Sequence, residues 1–349
     1  MARLRLADIA KKAGVSEASV SRVLNDKNGV SHRTRQVVLD ALQESGVASG
    51  RSVAPAGLIA LVTPELTKTL VASLVQELEE AIRRSGYVAA VCVQASDTVF
   101  SQEAVDLLVE RGVGGIIFVS GWPGTSTLSA DTRAGLRGLK LPCVFVNGPD
   151  GAGDAPFVSV DHNAAMRMAV QHLVELGHDR IGMVVGHHRN QLSARRSDGF
   201  VAALEEARCP DAATAADRVH HTLPTIEGGR TAVGALLEKA CTGILCDSDL
   251  AALGVIQALK ERGLSVPKHI SVVTFNDSPF MEFTRPPLTA VRQPVESIAM
   301  TAIATLLADG VSSTTQHREF MLQPELIVRG STSARWPRLE AVLAEGAGA

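Results

Sequence analysis

Val15-Ser16-Glu17-Ala18-Ser19-Val20-Ser21-Arg22-Val23-Leu24-Asn25 is the stretch from which the rest of the chain is read. Gly14 breaks the helical pattern before it and supplies a tight turn. Ser16 stands where an N-cap belongs, its hydroxyl free to accept an orphan backbone N–H, with Glu17 on the positive end of the new helix. Val20, Val23 and Leu24 fall three and four apart, so they share one buried face, and Glu17, Ala18, Ser21 and Arg22 are left on the other. An apolar back and a short, polar or cationic front is the pattern of a recognition helix.

The preceding segment fits the same unit. Leu6, Ile9, Ala10 and Ala13 form an apolar stripe with Lys11 and Lys12 outside it, and two short helices joined at a glycine make a helix-turn-helix. A third helix is expected after Ser31, packed through Val37, Val38, Ala41 and Leu42. Residues 1–51 hold nine Lys/Arg against five Asp/Glu, net +4, while the remainder holds 25 against 32, net −7. A basic head on an acidic body suits a DNA-binding module.

The run Leu6-x-Asp-Ile-Ala-x-x-Ala-Gly-Val-Ser-x-x-Ser-Val-Ser-Arg-Val-Leu-Asn25 closely resembles the head of the lac repressor (LacI/GalR) family. The resemblance implies that Glu17, Ala18 and Arg22 occupy base-reading positions in the major groove. Leu6, Ser16, Ser21, Asn25 and Ser31 are then the other head contacts, the serines and Asn25 positioning the backbone. A guanidinium at Arg22 matches both acceptors on a guanine edge. Arg5 stands where the family often has a capping hydroxyl, and is expected to contact phosphate.

Of 349 residues 46% are hydrophobic and 3% aromatic, and no apolar run is long enough to span a bilayer. With the helix-turn-helix beginning at once, no secretory signal is expected, and the protein is expected to be cytoplasmic. Cys92, Cys143, Cys209, Cys241 and Cys246 lack metal-ligand spacing and read as buried, reduced thiols. His187-His188 and His220-His221 have no carboxylate or cysteine partner at helical spacing and read as surface loop. Neither metal nor cofactor is expected.

Gly46 to Gly57 is rich in Gly, Ser and Pro, the composition of a linker. Here the chain departs from the family, which has Gly-Tyr-x-Pro-Asn and then a hinge helix whose leucine wedges into the minor groove. The Tyr, the Pro-Asn and the wedge leucine are missing and the segment is shorter. Val53 is the apolar residue left to stand in, so weaker kinking of DNA is expected. The alternative this raises is an atypical member with impaired or partner-dependent DNA binding.

Beyond the linker, strand-like runs (58–62, 88–93, 115–119, 143–146, 158–161, 180–185, 243–246, 270–275) alternate with helical segments. Such alternation predicts right-handed βαβ units, two doubly wound α/β lobes and a ligand cleft between them. Asp249-Leu-Ala-Ala-Leu-Gly254, Val266-Pro-Lys-His-Ile-Ser-Val-Val-Thr-Phe-Asn-Asp277 and Pro287-Leu-Thr-Ala-Val-Arg-Gln-Pro294 resemble the same family. The resemblance implies a periplasmic-binding-protein-like effector domain with three crossovers. The expected organisation is a helix-turn-helix domain over 1–46, a shortened hinge over 47–57, an effector and dimerisation domain over 58–333 and a tail over 334–349. Within that domain one lobe is expected to take 58–155 with 288–318, the other 156–287 with 319–333.

By the same resemblance Arg196, Asn276, Asn147 and Ser248 hold the effector, with Ser248 standing where asparagine is common. Arg196's fork suits two adjacent oxygens, and the Asn276 amide can donate and accept. The competing readings are a surface ion pair for Arg196 and a strand-end turn for Asn276 and Asp277. Trp122, in Gly121-Trp-Pro-Gly124, either stacks on a sugar face or packs as a turn. The tail offers only Leu339, Val342 and Leu343 on one turn, too little for a tetramerising coiled coil, and is expected to fray. The chain therefore reads as a dimeric repressor of a near-palindromic operator, governed by a small effector, with a sugar favoured. No membrane partner is expected. With no nucleophile elbow, phosphate loop or dinucleotide fingerprint, an enzyme is not expected.

Overall fold

The computed structural model describes residues 6–17, 19, 20, 34, 37, 38, 57–63, 66–93, 102–119, 141–147, 156–188, 191–309 and 319–337. The chain divides into two compact units, Met1–Gly57 and Leu58–Ala349.

In the first unit helix α1 spans Leu6–Ala13. Its chain turns at Gly14, whose φ of +64° lies in the left-handed region that glycine enters without strain. Ser16 caps the next helix as expected, its Oγ accepting from Ser19 N at 3.2 Å. Ala10, Ala13, Val20 and Val38 are buried. Val37, expected as a packing residue, is instead exposed, because adjacent positions on a helix point about 100° apart and Val38 takes the inner place.

The second unit contains two six-stranded sheets. The first joins β1 (Leu58–Thr63), β2 (Val88–Val93), β3 (Val113–Val119), β4 (Cys143–Val146), β5 (Phe157–Val160) and β11 (Glu319–Leu322), in the order β11-β5-β4-β3-β1-β2. The second joins β6 (Ile181–Val185), β7 (Val219–His221), β8 (Gly243–Cys246), β9 (Ser271–Asn276), β10 (Thr289–Arg292) and β12 (Glu325–Ile327), in the order β12-β10-β9-β8-β6-β7. Every pairing is parallel except β10 with β12. Parallel strands are covered on both faces, which is why β1, β5, β6 and β8 are buried at nearly every position and read as mostly apolar runs rather than alternations.

The first sheet is covered by α2 (Thr69–Arg84), α3 (Gln102–Glu110) and α8 (Val295–Asp309). On α2 the buried residues Val71, Leu74, Val75, Leu78, Ala81 and Ile82 recur at three and four, packing against Ile59, Leu61 and Ile117 of the sheet. Each such aliphatic side chain removed from water contributes about 1.5–3 kcal/mol. The second sheet carries α4 (His162–Glu175), α5 (Gln191–Glu206), α6 (Ile226–Glu238) and α7 (Asp249–Glu261). α6 and α7 meet backbone to backbone at Gly229 and Gly254, where an added Cβ would lie 2.0 Å from Ala251 O and 1.9 Å from Ile226 O respectively.

Three strands lie across the lobe boundaries expected from sequence. β5 and β11 pair in the first sheet and β10 in the second. The chain crosses between lobes only after each strand is complete, at Asp161, at Gln293-Pro294 and at Gln323-Pro324. Proline has no N–H to give a ladder, so pairing ends at the two Gln-Pro steps. The crossovers are tied: Asp161 N donates to Leu322 O at 2.8 Å, and Gln323 Nε2 donates to Asp161 Oδ2 at 3.2 Å. The start of the tail departs from expectation as well. Arg335 pairs with Asp179 at 2.7 Å and Trp336 packs on the core around Leu264 and Ile270, while Leu339, Val342 and Leu343 lie outside the described residues.

Candidate functional site

A cavity of about 520 Å³ lies between the lobes. Thr67–Val71, at the start of α2, form one wall. Ends of the second-sheet strands and their following helices form the rest, among them Arg196, Asp247, Ser248, Asn276 and Phe280. Ligands of open parallel sheets sit in this position, beyond the carboxyl ends of the strands.

Arg196 is no surface ion pair. It projects from α5 with 6% of its surface exposed and lies over the Phe275 ring at 4.1 Å, a cation–π geometry in a desolvated place. Its Nη1 donates to Asp247 O at 3.2 Å and stands 3.8 Å from Asp247 Oδ2. Asp247 is equally buried, and its Oδ2 accepts from Gly186 N at 2.9 Å. Burial pushes the Asp247 carboxyl above its ordinary range, opposed by the Arg196 charge, and burial lowers the Arg196 guanidinium, opposed by Asp247. Arg196 Nε and Asp247 Oδ1 have no partner among the described residues. Sequence reasoning misses Asp247. The signal that could have found it is a carboxylate closing the apolar strand Gly243–Cys246, where burial without a partner is costly.

Ser248 lines the cavity, and its Oγ also caps α7, accepting from Ala251 N at 3.2 Å. Asp249 is spent on structure: Oδ1 accepts from Thr274 Oγ1 at 2.8 Å and Oδ2 from Ser278 N at 2.9 Å. Asn276 closes β9 with φ of +103° and lines the cavity. Asp277 faces away, held by Arg329 at 2.6 Å and Arg292 at 2.8 Å. Asn147 departs from the expected role. Although it closes its strand as expected, it is buried, it does not line the cavity, and it bonds Gln293 and the Val160 backbone instead. At φ of +47° the chain turns its side chain toward the crossovers.

The first histidine pair is exposed, and His187 lines the cavity. The second pair, expected in a loop, lies in β7, and His221 Nδ1 stands 2.9 Å from Gly186 O. Among the described residues no group of three His, Cys, Asp or Glu is placed to hold a metal ion. All five cysteines are free, and burial pushes Cys241 up to about 11, so its thiol stays protonated. Of the head residues, Ser16 and Glu17 are described and exposed, and Leu6 opens α1. Arg5, Ala18, Ser21, Arg22, Asn25 and Ser31, the linker and Trp122 lie outside the described residues.

Residues 5–47 match the family model of bacterial regulatory proteins of the lacI family, and residues 170–332 match that of a periplasmic binding protein-like domain. The HTH-type transcriptional regulator MalR of Streptomyces coelicolor is 44% identical over 95% of this chain and 97% of its own. The chain belongs to the lacI family. It is a DNA-binding transcriptional regulator built from a helix-turn-helix head and a periplasmic-type effector domain. Among solved family members, the transcriptional regulator CelR–cellobiose complex is 26% identical, covering 94% of this chain and 100% of that one, with a TM-score of 0.69. The lac repressor dimer bound to operator and the anti-inducer ONPF is 25% identical, covering 95% of this chain and 100% of that one, with a TM-score of 0.72.

Proposed function

We propose that this regulator is a homodimeric, cytoplasmic repressor whose grip on a near-palindromic operator is set by a neutral sugar bound in the cavity. The pairing of Arg196 with Asp247 in the cavity wall carries this reading. The carboxylate already neutralises the guanidinium, so an anionic ligand gains little there, while a hydroxyl can accept from one group and donate to the other. Leu70, Leu192, Leu223, Leu253 and Phe280 supply apolar walls for the C–H faces of a sugar ring. The volume suits a small ligand, and the likeness to a cellobiose-bound regulator favours a sugar of one or two rings.

A second copy is favoured by apolar side chains left in water on the edge strand β2, Val88, Val91 and Val93. The likeness to a lac repressor dimer points the same way. In the head, Arg22 and Glu17 read bases and Arg5 holds phosphate. Weaker kinking by the shortened hinge remains part of this reading.

Isothermal titration calorimetry of the full chain against ribose, glucose, cellobiose, lactose and glucose 6-phosphate tests the ligand class. One neutral sugar is expected to bind, with affinity falling about 100-fold in Arg196→Ala, as loss of a charge-assisted hydrogen bond implies. Preference for the phosphate ester would overturn the reading.

A further inference from the structure

We infer that Asn276 presents its NH2, a hydrogen-bond donor, to the effector, because a relay of side-chain amides fixes which way round its own amide stands. The ligand side of this inference rests on the cavity reading above; the relay itself does not.

An asparagine or glutamine amide keeps its shape when its oxygen and nitrogen trade places, so its orientation is set by its partners. One end of this relay cannot turn round. The Val160 backbone N–H, closing β5, can only donate, and it does so to Asn147 Oδ1 at 3.2 Å. Ser159 Oγ approaches the same oxygen at 3.4 Å. Asn147 Nδ2 therefore faces Gln293 and donates to its Oε1 at 3.1 Å. That turns Gln293 Nε2 toward Asn276, where it donates to Oδ1 at 2.8 Å. Asn147 and Gln293 are each 3% exposed, so water cannot readily replace either partner and reversing one amide would set like against like. Asn276 keeps Nδ2, which has no partner among the described residues, for the cavity it lines.

This position therefore takes an acceptor: a ring oxygen, a glycosidic oxygen or the lone pair of a hydroxyl. A carboxylate at 276 would take donors and reject the ether oxygens. Gln293 acts through Asn276 as a positioning residue, and it stands at a crossover between the lobes, with Asn147 just after a strand of the first sheet and Asn276 at the end of one in the second.

Side-chain amide hydrogen exchange by NMR, on full-length protein labelled with 15N at Asn and Gln, reads the orientation without any ligand. Asn276→Asp assigns the resonance by removing it. In the wild type the Asn276 NH2 is expected to exchange within a few-fold of a free amide, while those of Asn147 and Gln293 are slowed more than 10-fold. In Gln293→Glu the Asn276 amide must turn to donate, and its exchange is expected to slow at least 10-fold. Should that variant not fold, the wild-type rates alone still decide the orientation. A wild-type Asn276 NH2 as protected as that of Gln293 would overturn the relay. Adding cellobiose, or whichever panel sugar the calorimetry selects, is expected to slow the exposed Asn276 NH2 at least 10-fold. Sugar binding without that slowing would overturn Asn276 as the donor. Failure of every panel sugar to bind would remove the sugar reading, with the relay already decided by the ligand-free rates.

Discussion

Arg196 and Asp247 hold each other in a place where neither could remain charged alone. Truncating Arg196 to Ala leaves the Asp247 carboxylate buried without its counter-charge, which is expected to cost about 3–5 kcal/mol of stability. Asp247→Asn, paired with Arg196→Ala, is expected to recover part of that loss in urea denaturation. Two buried histidines contribute to the response to acid. Burial holds His162 well below the ordinary 6.5 and His178 below it as well. The unfolded chain takes up these protons near pH 6.5 and the folded chain does not. Stability is therefore full above about pH 6.5 and falls as pH drops from there toward the lowered values. Each histidine contributes a slope of up to about 1.4 kcal/mol per pH unit. Melts between pH 7.5 and 5.5 are expected to show this loss, with a shallower slope in His178→Gln; an unchanged slope would exclude His178 as a source. At this scale the sequence made Arg196 and Asn276 legible through the motifs around them. It hid Asp247 and Gln293, whose roles exist only once Asp247 meets a helix 51 residues away and Gln293 meets Asn147 across 146.

At the scale of elements, the lobes depend on helices approaching more closely than side chains allow. Gly229→Ala and Gly254→Ala would drive a methyl into a facing carbonyl, and each is expected to cost about 3 kcal/mol or more. Gly234 lies on the same helix α6, and a methyl added there would meet nothing within 4 Å, so Gly234→Ala is expected to stabilise by up to about 1 kcal/mol. Equal effects at 229 and 234 in thermal melts would refute the close-contact account. Most central strands were legible because burial on both faces writes them as apolar runs, as in residues 58–62 and Ile181–Val185. Short or alternating strands were not, although the edge strand Val88–Val93 was. In β11 only every second residue is partly buried, and β7 and β12 are three residues long, too short for a period to declare itself. The lobe boundaries were misplaced because β10 and β11 went unread and β5, read as a strand, pairs in the first sheet before the chain crosses at Asp161.

The whole molecule joins a basic head to an acidic body, and its central property is that one site should govern the other. Ligand can do this only by binding the DNA-competent and DNA-incompetent states with different affinity. The most direct test is fluorescence anisotropy of the full-length protein on DNA from upstream of its own gene, across a salt series, with and without the sugar selected by calorimetry. Binding is expected to be saturable and to weaken by about 10³-fold or more between 50 and 200 mM salt, as six or more phosphate contacts require. It is expected to be lost in Arg22→Ala, to shift at least 10-fold on adding sugar, and to ignore sugar in Arg196→Ala. Binding that is indifferent to both Arg22 and the sugar would contradict effector-controlled recognition by this chain.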